Sequence, residues 1–456
     1  MKVNLLSDKI NRMFLLLFLS AAGSTIIMTI YSTVDMICVG QYCGPLGASA
    51  IACINPMWSI MIAPGVLVGV GGAIMIANRR GSGNDAAANE YFTLGALISL
   101  IFSLAVCVSF LFFAEPLLRF FEAEGEVLAL SLDYMRSIAI VSPTFTMCAC
   151  LSTYVRNDGE AMLPTIATVT GGVVNVVLDI LLVFDFGAGL GAAGAGLATS
   201  IGQVVAFLIV LSYFFKKSCT LRLKKPTRVT RKVARIFSLG FSAFVLEVAF
   251  GITATVFNKQ IIKHLTYDHL AVYGTVSTLL VMLTCVINAA GSALQPIASA
   301  NFGAGRWGRV RASLKAALIC GTVIGVVFLA VIELFPAEIL RLFMEVNENV
   351  MLVGPPIMRV YCLALPLIGV TVVASYFHQS VLMQKMSVTV SLLRGIILPI
   401  GLALLLPSVF DVSLIWWCLP IAELVAFLLS VVFLLISRKK IPKEDVRLDR
   451  DDVRVI

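Results

Sequence analysis

Long apolar segments recur along the whole chain and are separated by short polar stretches. A helix that crosses the hydrocarbon core of a bilayer needs roughly 20 mostly apolar residues. The segments that meet this length are residues 13–38, 47–76, 92–114, 132–155, 162–184, 191–214, 236–261, 270–299, 312–335, 355–380, 386–407 and 413–437. This pattern predicts an all-α membrane protein with about twelve transmembrane helices.

Rare residues recur at a constant spacing in the two halves of the chain. A shift of 223 residues relates four such pairs: Arg12 with Arg235, Asn78 with Asn301, Arg136 with Arg359 and Pro143 with Pro366. Six helices in each half give both halves the same orientation, so an axis along the membrane normal relates them. We therefore predict two six-helix bundles related by a parallel pseudo-two-fold repeat, an arrangement that occurs in transporters.

The longest polar stretch lies between the sixth and seventh predicted helices. Residues 216–235 contain nine Lys and Arg residues and one proline. We interpret this stretch as a basic linker on the cytoplasmic surface. The predicted domains are an N-terminal six-helix lobe (1–215), the linker (216–235), a C-terminal six-helix lobe (236–437) and a charged cytoplasmic tail (438–456).

Composition and charge agree with this topology. The chain is 59% hydrophobic and only 13% charged, which leaves too few charges to cover the surface of a soluble protein. With the N-terminus inside, 27 of the 34 Lys and Arg residues face the cytoplasm, as the positive-inside rule requires. We expect a multi-pass protein of a bacterial-type cytoplasmic (inner) membrane, with both termini cytoplasmic. No basic face alternates with aromatic residues, so nucleic acid is not an expected partner.

Cysteine and histidine give no sign of catalytic or metal chemistry. Most of the eleven Cys residues lie inside apolar segments, and the three His residues form no cluster in the sequence. A disulfide framework or a thiolate metal site is therefore not predicted. We expect no enzymatic activity and no cofactor.

Five ionisable residues fall inside the predicted helices, where a charge is costly and marks a functional site by default. They are Asp35, Asp179, Glu247, Arg394 and Glu423. Each therefore needs a partner, a ligand or a water-filled cavity to explain its position.

Asp35 and Asp179 lie late in two helices that run outward, and so at similar depth. Asn175 precedes Asp179 by one helical turn, and Thr199 lies early in the next helix. Such a set of oxygens suits a hard cation, and two close carboxylates equally suit proton exchange. Alternatively, Asp179 caps its helix and Asp35 meets a loop.

The second half lacks this set, so we expect the first half to handle the coupling ion. At the same spacing Asn258, Leu398 and Leu402 replace Asp35, Asn175 and Asp179. Glu247, near mid-membrane, either attracts a cationic substrate, carries a proton or makes a structural hydrogen bond. Glu423 aligns with Gln203 after a short gap, which favours a structural contact, and Arg394 is available to neutralise an acid.

Four segments of the first half and two residues of the second form a recognisable set. The set comprises Val34-Asp-Met-Ile-Cys-Val-Gly40 with Leu46-Gly-Ala, Arg156-Asn-Asp-Gly159, Asn175-Val-Val-Leu-Asp179, Gly191-Ala-Ala-Gly-Ala-Gly-Leu-Ala-Thr199, Gln379 and Arg394. Together these residues resemble the multidrug and toxic compound extrusion (MATE) exporters over nearly the whole chain.

This resemblance implies two lobes that form a V around a central cavity, and export of organic, often cationic, compounds against entering Na+ or H+. It implies an N-lobe cation site at the four matching positions, which would hold Na+ if the exporter is sodium-coupled: Asp35, Asn175, Asp179 and Thr199. Another branch of the family uses acids of the seventh and tenth helices. Glu247 matches the first of these acids, whereas the tenth predicted helix has none. We expect structural polar roles for four residues: Arg156, Gln379, Arg394 and Glu423.

We therefore predict a secondary active multidrug exporter that works by alternating access, with small organic molecules and the lipid bilayer as its partners. We expect it to function as a monomer. The alternative is a flippase for lipid-linked sugars or another polar lipid of the same superfamily. Such a flippase usually needs basic cavity residues, whereas the charges inside these helices are mainly acidic. The major facilitator class is disfavoured because its charged loop between the second and third helices is missing.

Overall fold

The computed structural model describes residues 4–121, 123–343, 348–442 and 444–445. Twelve helices within them are long and apolar enough to cross a membrane: α1 Ile10–Gly44, α2 Ser49–Gly81, α3 Asp85–Phe120, α4 Gly125–Asn157, α5 Met162–Val183, α6 Gly191–Phe215, α7 Val229–His264, α8 Asp268–Gly303, α9 Trp307–Leu334, α10 Glu348–Ser380, α11 Gln384–Val409 and α12 Val412–Lys440. The predicted all-α membrane fold is confirmed. Several helices extend beyond the apolar segments, because hydropathy detects only the turns that the bilayer surrounds.

Irregular backbone occurs in several of these helices, including α1, α10 and α11. At Gly44 the φ angle is +68°, a conformation that glycine adopts without steric cost, and the chain turns there from α1 towards α2. In α10, regular helix stops at Cys362 and resumes at Leu365. A π-helical turn, Leu393–Ile397, interrupts α11.

The ends of α2 and α8 have the same local structure, as the internal repeat predicts. The side-chain amide of Asn78 donates to the Ile74 carbonyl at 3.0 Å, and that of Asn301 donates to the Ile297 carbonyl at 2.8 Å. A glycine with positive φ follows each asparagine, at Gly83 and at Gly305.

The chain forms two compact units. The first unit is Gly23–Phe244, and the second combines Leu5–Ala22 with the described residues from Val245 onward. The second half of α1 and the start of α7 thus belong to the first unit. The beginning of α1 and the remainder of α7 belong to the second unit. The lobe boundaries at residues 215 and 236 stay a prediction from the sequence.

Each unit has its own apolar core. Buried residues of the first unit include Ile54, Met57, Phe110 and Ile138. The second unit contains an aromatic cluster in which the Phe257 and Tyr273 rings stack at 5.5 Å. Tyr361 packs edge-on against Tyr273 at 5.9 Å. In a bilayer such cores depend on close packing, since lipid tails are as apolar as the side chains themselves.

In the first unit, α2 and the start of α7 cross with almost no space between their backbones. A Cβ atom added at Gly240 would lie 1.8 Å from the Leu67 carbonyl oxygen. One added at Gly71 would lie 1.9 Å from the carbonyl oxygen of Ile236. Small residues at such crossings let membrane helices approach closely.

Replacing Gly240 by Ala is therefore expected to push α2 and α7 apart. Overpacking a tight contact costs about 1–3 kcal/mol. We expect a lower midpoint of thermal unfolding in detergent, measured by intrinsic fluorescence. Gly251→Ala is the matched control on the same helix, because nothing lies within 4 Å of its added Cβ. Equal midpoints for the two variants would contradict this account of the crossing.

Candidate functional site

A cavity of about 390 Å³ lies inside the first unit. Side chains from α1, α2, α4, α5 and α6 line it. Its polar lining includes Tyr31, Asp35, Tyr134, Asn175 and Thr199. Three of the four residues predicted to hold a cation therefore face one cavity, and Asp179 lies one turn beyond Asn175 on α5.

Glycines of α5 and α6 bring these helices close enough to assemble the site. A Cβ atom at Gly171 would lie 2.6 Å from the Gly202 carbonyl oxygen, and the reverse distance is also 2.6 Å. Gly196 packs against α4, where an added Cβ would lie 2.2 Å from the Tyr134 carbonyl oxygen. The glycine-rich start of α6 thus places Thr199 between Tyr134 and Asn175.

Tyr134 is at the centre of the hydrogen bonds that the site makes. Its hydroxyl donates to Asp35 Oδ2 at 2.6 Å and lies 3.3 Å from Thr199 Oγ1. The Asn175 side-chain amide donates to the same Thr199 oxygen at 3.2 Å. These contacts connect α1, α4, α5 and α6 through side chains alone. The side chain of Asp35 therefore contacts a residue of helix α4 and not a loop.

Several buried acceptor oxygens around this network lack a hydrogen-bond partner among the described residues. They are Asp35 Oδ1, Asn175 Oδ1, Asp179 Oδ1 and Asp179 Oδ2. Asp179 is fully buried, and Asn175 is 2% exposed. Burying an unpaired carboxylate is costly, so such a group is expected to bind a proton or a cation. The set consists of oxygen atoms, which are the ligands that hard cations prefer.

Tyr134 was not predicted from the sequence. It lies in a polar stretch near the start of α4, between Asp133 and Arg136, which form an ion pair of 2.9 Å with each other. Tyr134 is 99 residues from Asp35 and 65 from Thr199 in the sequence, so no local sequence pattern connects them. The only sequence feature that could have suggested its role is that Tyr134 lies on α4 at about the same membrane depth as Asp35 on α1.

In the second unit, Glu247 is half-buried on α7. No hydrogen bond or ion pair engages its carboxylate among the described residues. The π-helical turn of α11 packs close by, because a Cβ at Gly395 would lie 3.2 Å from the Ala249 side chain. Thr253 Oγ1 donates to the Gly395 carbonyl at 3.0 Å.

Arg394 and Glu423, the remaining two of the five ionisable residues predicted inside helices, pair with each other. Arg394 Nη2 lies 2.9 Å from Glu423 Oε1, and both side chains are buried. Arg394 Nε also donates to this oxygen at 3.0 Å, and Thr371 Oγ1 donates to Glu423 Oε2 at 3.0 Å. Arg394 lies in the π-helical turn, a type of irregularity that is frequent at functional sites. The carboxylate of Glu423 is thus partnered on both oxygens.

Two further predicted polar residues lie at helix ends. Gln379 is buried near the end of α10, and its amide donates to Ser387 Oγ on α11 at 3.2 Å. Arg156 is half-buried in the last turn of α4. Neither residue is part of the cavity lining.

Asp158, in the Arg156-Asn-Asp-Gly159 segment, is a second polar centre that the sequence did not predict. It is 5% exposed and forms an ion pair with Arg80 at the end of α2. The Tyr213 hydroxyl, at the end of α6, donates to it. The backbone N–H of Thr220 in the linker donates to it at 3.0 Å. One carboxylate therefore connects three segments at this end of the first unit.

The model of the MatE family matches residues 21–181 and 241–405. The chain belongs to the MatE family. It is therefore a membrane transporter and not an enzyme. The family model matches one segment in each half of the chain, which agrees with the internal repeat. This match confirms the resemblance to the MATE exporters that the motifs indicated.

Individual relatives match over nearly their whole length. Multidrug export protein MepA of Staphylococcus haemolyticus is 25% identical over 425 residues, which is 92% of each chain. The solved structure of the MATE multidrug transporter DinF-BH is 27% identical, with a TM-score of 0.86 over 94% of this chain and 96% of that one.

A third similarity concerns the fold alone. A MOP superfamily transporter from Pyrococcus furiosus, for which a reverse polarity of the binding pocket suggests a different function, superposes with a TM-score of 0.88. It covers 96% of this chain and 98% of that one at 21% identity.

The buried pair in the second unit can be tested by removing one partner. Arg394→Leu leaves Glu423 buried without its counter-ion, which costs about 3–5 kcal/mol. We expect a marked fall in the thermal unfolding midpoint in detergent, and a partial recovery in Arg394→Leu/Glu423→Leu. Arg359→Leu is the control, because its ion pair with Glu333 is half-exposed and worth about 0–1 kcal/mol. A double variant no more stable than Arg394→Leu would argue against the pairing.

Proposed function

We propose that this transporter is a secondary active exporter of organic, cationic or amphipathic compounds, driven by the entry of Na+ or H+. The observation that carries the proposal is the group of buried acceptor oxygens at Asp35, Asn175 and Asp179 that have no hydrogen-bond donor among the described residues. The curated relative named above is a multidrug export protein, which supports the same direction and breadth of transport.

In this proposal Asp35 and Asp179 carry the charge that the coupling ion neutralises. Asn175 Oδ1 and the hydroxyl of Thr199 supply neutral oxygens for Na+. If the ion is H+, protonation of the two carboxylates has the same electrostatic result without the neutral ligands. Tyr134 holds Asp35 in place through its hydrogen bond of 2.6 Å.

The same cavity is suited to the substrate. Its volume lies in the range of pockets that bind drug-sized molecules. Trp58 and Phe145 line it and pack edge-to-face at 5.2 Å, and Tyr31 adds a third aromatic ring. Aromatic faces attract organic cations, and Asp35 in the same lining supplies a full negative charge.

The ion and the substrate would then both interact with the carboxylate of Asp35, and this competition gives a simple basis for their exchange. Binding of the cation removes the negative charge that attracts a cationic substrate. A ligand shifts a conformational equilibrium only by its different affinities for the two states. We propose that the outward-open and inward-open states differ in their affinity for ion and substrate, so that access alternates.

Glu247 has a separate role in the second unit. Its unpartnered carboxylate on α7 would attract a cationic substrate or carry a proton. The other polar residues singled out from the sequence keep structural roles: Arg156, Gln379, Arg394 and Glu423. The charge distribution supports cytoplasmic termini in a bacterial-type inner membrane, and the single chain contains every group of the proposed ion site.

The flippase alternative is not favoured. A lipid-linked pyrophosphate needs cationic side chains in the cavity, whereas the ionisable side chains of this lining are Asp35 and the neutral tyrosines and cysteine. The only buried arginine inside a helix of the second unit, within the described residues, is Arg394, and Glu423 neutralises it.

The proposal is tested by efflux from vesicles under an imposed Na+ or H+ gradient. Asp35→Asn and Asp179→Asn are each expected to lower gradient-driven efflux about tenfold or more, since bonds to a charged group contribute about 1.5–3 kcal/mol. The gradient that drives the wild-type protein identifies the ion. Asp133→Asn is the matched control, because this carboxylate is half-exposed and pairs with Arg136. Undiminished gradient-driven efflux in both cavity variants would overturn the proposal.

Glu247→Gln tests the second unit separately. Loss of its charge is expected to raise the KM for a permanently cationic substrate several-fold and to leave the KM for a neutral one unchanged. If Glu247 instead carries a proton, the pH dependence of efflux changes while both KM values stay the same. A variant with wild-type KM values and pH profile assigns Glu247 a structural role.

A further inference from the structure

Residues 219–226 of the linker have no regular secondary structure and lie against the start of α3. The backbone N–H of Arg222 donates to Asn89 Oδ1 at 3.1 Å, and that of Lys224 donates to Thr93 Oγ1 at 2.8 Å. Asn89 and Thr93 are one helical turn apart, so together they fix the direction of the linker.

A further contact fixes the end of this segment. Thr227 donates from its backbone N–H and its hydroxyl to Glu90 Oε2, at 2.8 and 2.6 Å. Lys232 forms an ion pair with the same carboxylate. The backbone that carries Lys224 and Lys225 is therefore held in place before any ligand arrives.

Lys224 and Lys225 stand at the edge of an apolar groove. The groove is lined by Ala96, Leu97, Leu100, Met147 and Leu223, with Thr93 at its polar end. Both lysines are exposed, and no carboxylate lies within the 4.0 Å ion-pair distance of either among the described residues. Leu223 is 78% exposed although it is a large apolar side chain.

The position of α3 in the bilayer places this groove at a membrane surface. One face of the helix exposes a continuous apolar strip: Leu97, Leu100, Ile101, Leu104, Val108, Leu111 and Phe112. From Thr93 to Phe113 the helix rises about 30 Å, which is the thickness of the hydrocarbon core. The strip begins at Leu97, so Lys224 and Lys225 lie at headgroup depth and the groove lies beside the acyl chains.

We propose that this groove binds an anionic phospholipid of the leaflet on the linker side of the membrane. The phosphate of the headgroup lies between the ammonium groups of Lys224 and Lys225. One acyl chain follows Leu97 and Leu100 along α3, and Leu223 covers it from the linker. Basic clusters next to transmembrane helices bind anionic lipids in this way. The proposal depends on the embedding of α3 in the bilayer and not on the transported compound.

The lipid would hold the linker against the membrane at a point that Asn89 and Thr93 already define. Because the backbone is fixed by hydrogen bonds, little conformational entropy is lost when the lipid binds. A zwitterionic lipid has the same acyl chains and phosphate but carries a compensating positive charge. The site therefore selects by net charge.

The test is equilibrium binding of fluorescent phosphatidylglycerol to the purified full-length protein in detergent, with phosphatidylcholine of the same acyl chains as reference. The wild-type protein is expected to bind phosphatidylglycerol more tightly. Each lysine contributes about fivefold, from about 1 kcal/mol per basic residue near the surface, so Lys224→Ala/Lys225→Ala loses about 25-fold. Lys224→Arg/Lys225→Arg is expected to retain the preference.

Lys216→Ala/Lys217→Ala is the matched control, because it removes the same charge from the same linker outside the groove. An unchanged preference in Lys224→Ala/Lys225→Ala, or an equal loss in the control pair, overturns the proposal. Glycerol 3-phosphate is added as a soluble competitor. Displacement of the lipid by millimolar glycerol 3-phosphate would identify a site for free phosphate and also overturn it.

Discussion

The burial of two carboxylates in a helix bundle whose described residues offer them one hydrogen-bond donor is the constraint on which the first unit depends. Inside a bilayer, a buried oxygen without a donor cannot turn to water as it would at a protein surface. Asp179 is fully buried with both oxygens unpaired, and Asp35 has a single donor in Tyr134. In the proposed function, a proton or a cation that enters the site offsets this cost, which is why the site would respond to an ion.

The two halves of the repeat solve the same electrostatic difficulty in different ways. In the second unit the fully buried acid is Glu423, and Arg394 and Thr371 together engage both of its oxygens. That carboxylate is neutralised internally and has no need of an external cation. A common scaffold thus carries a closed ion pair in one half and an open set of acceptors in the other.

Hydropathy and the repeat were enough to predict the helices, since the bilayer imposes a length and an apolar composition on every span. The motif residues Asp35, Asn175 and Thr199 do line one cavity, because the glycines of α5 and α6 that allow close approach lie within the same motifs. Tyr134 and Asp158 were missed. Tyr134 is 99 residues from Asp35, and Asp158 is 55 residues from Tyr213, so no local sequence pattern predicts these contacts.

The division of α1 and α7 between the two units means that neither unit is built from one half of the chain alone. The beginning of α1 packs within the second unit, where Asn301 donates to the Leu5 carbonyl at 3.0 Å and Ala22 adjoins Ala289. The start of α7 completes the first unit, where Gly240 fits against Leu67. Each compact unit therefore includes a helical segment from the other half of the chain, so a cut in the linker would leave both units incomplete.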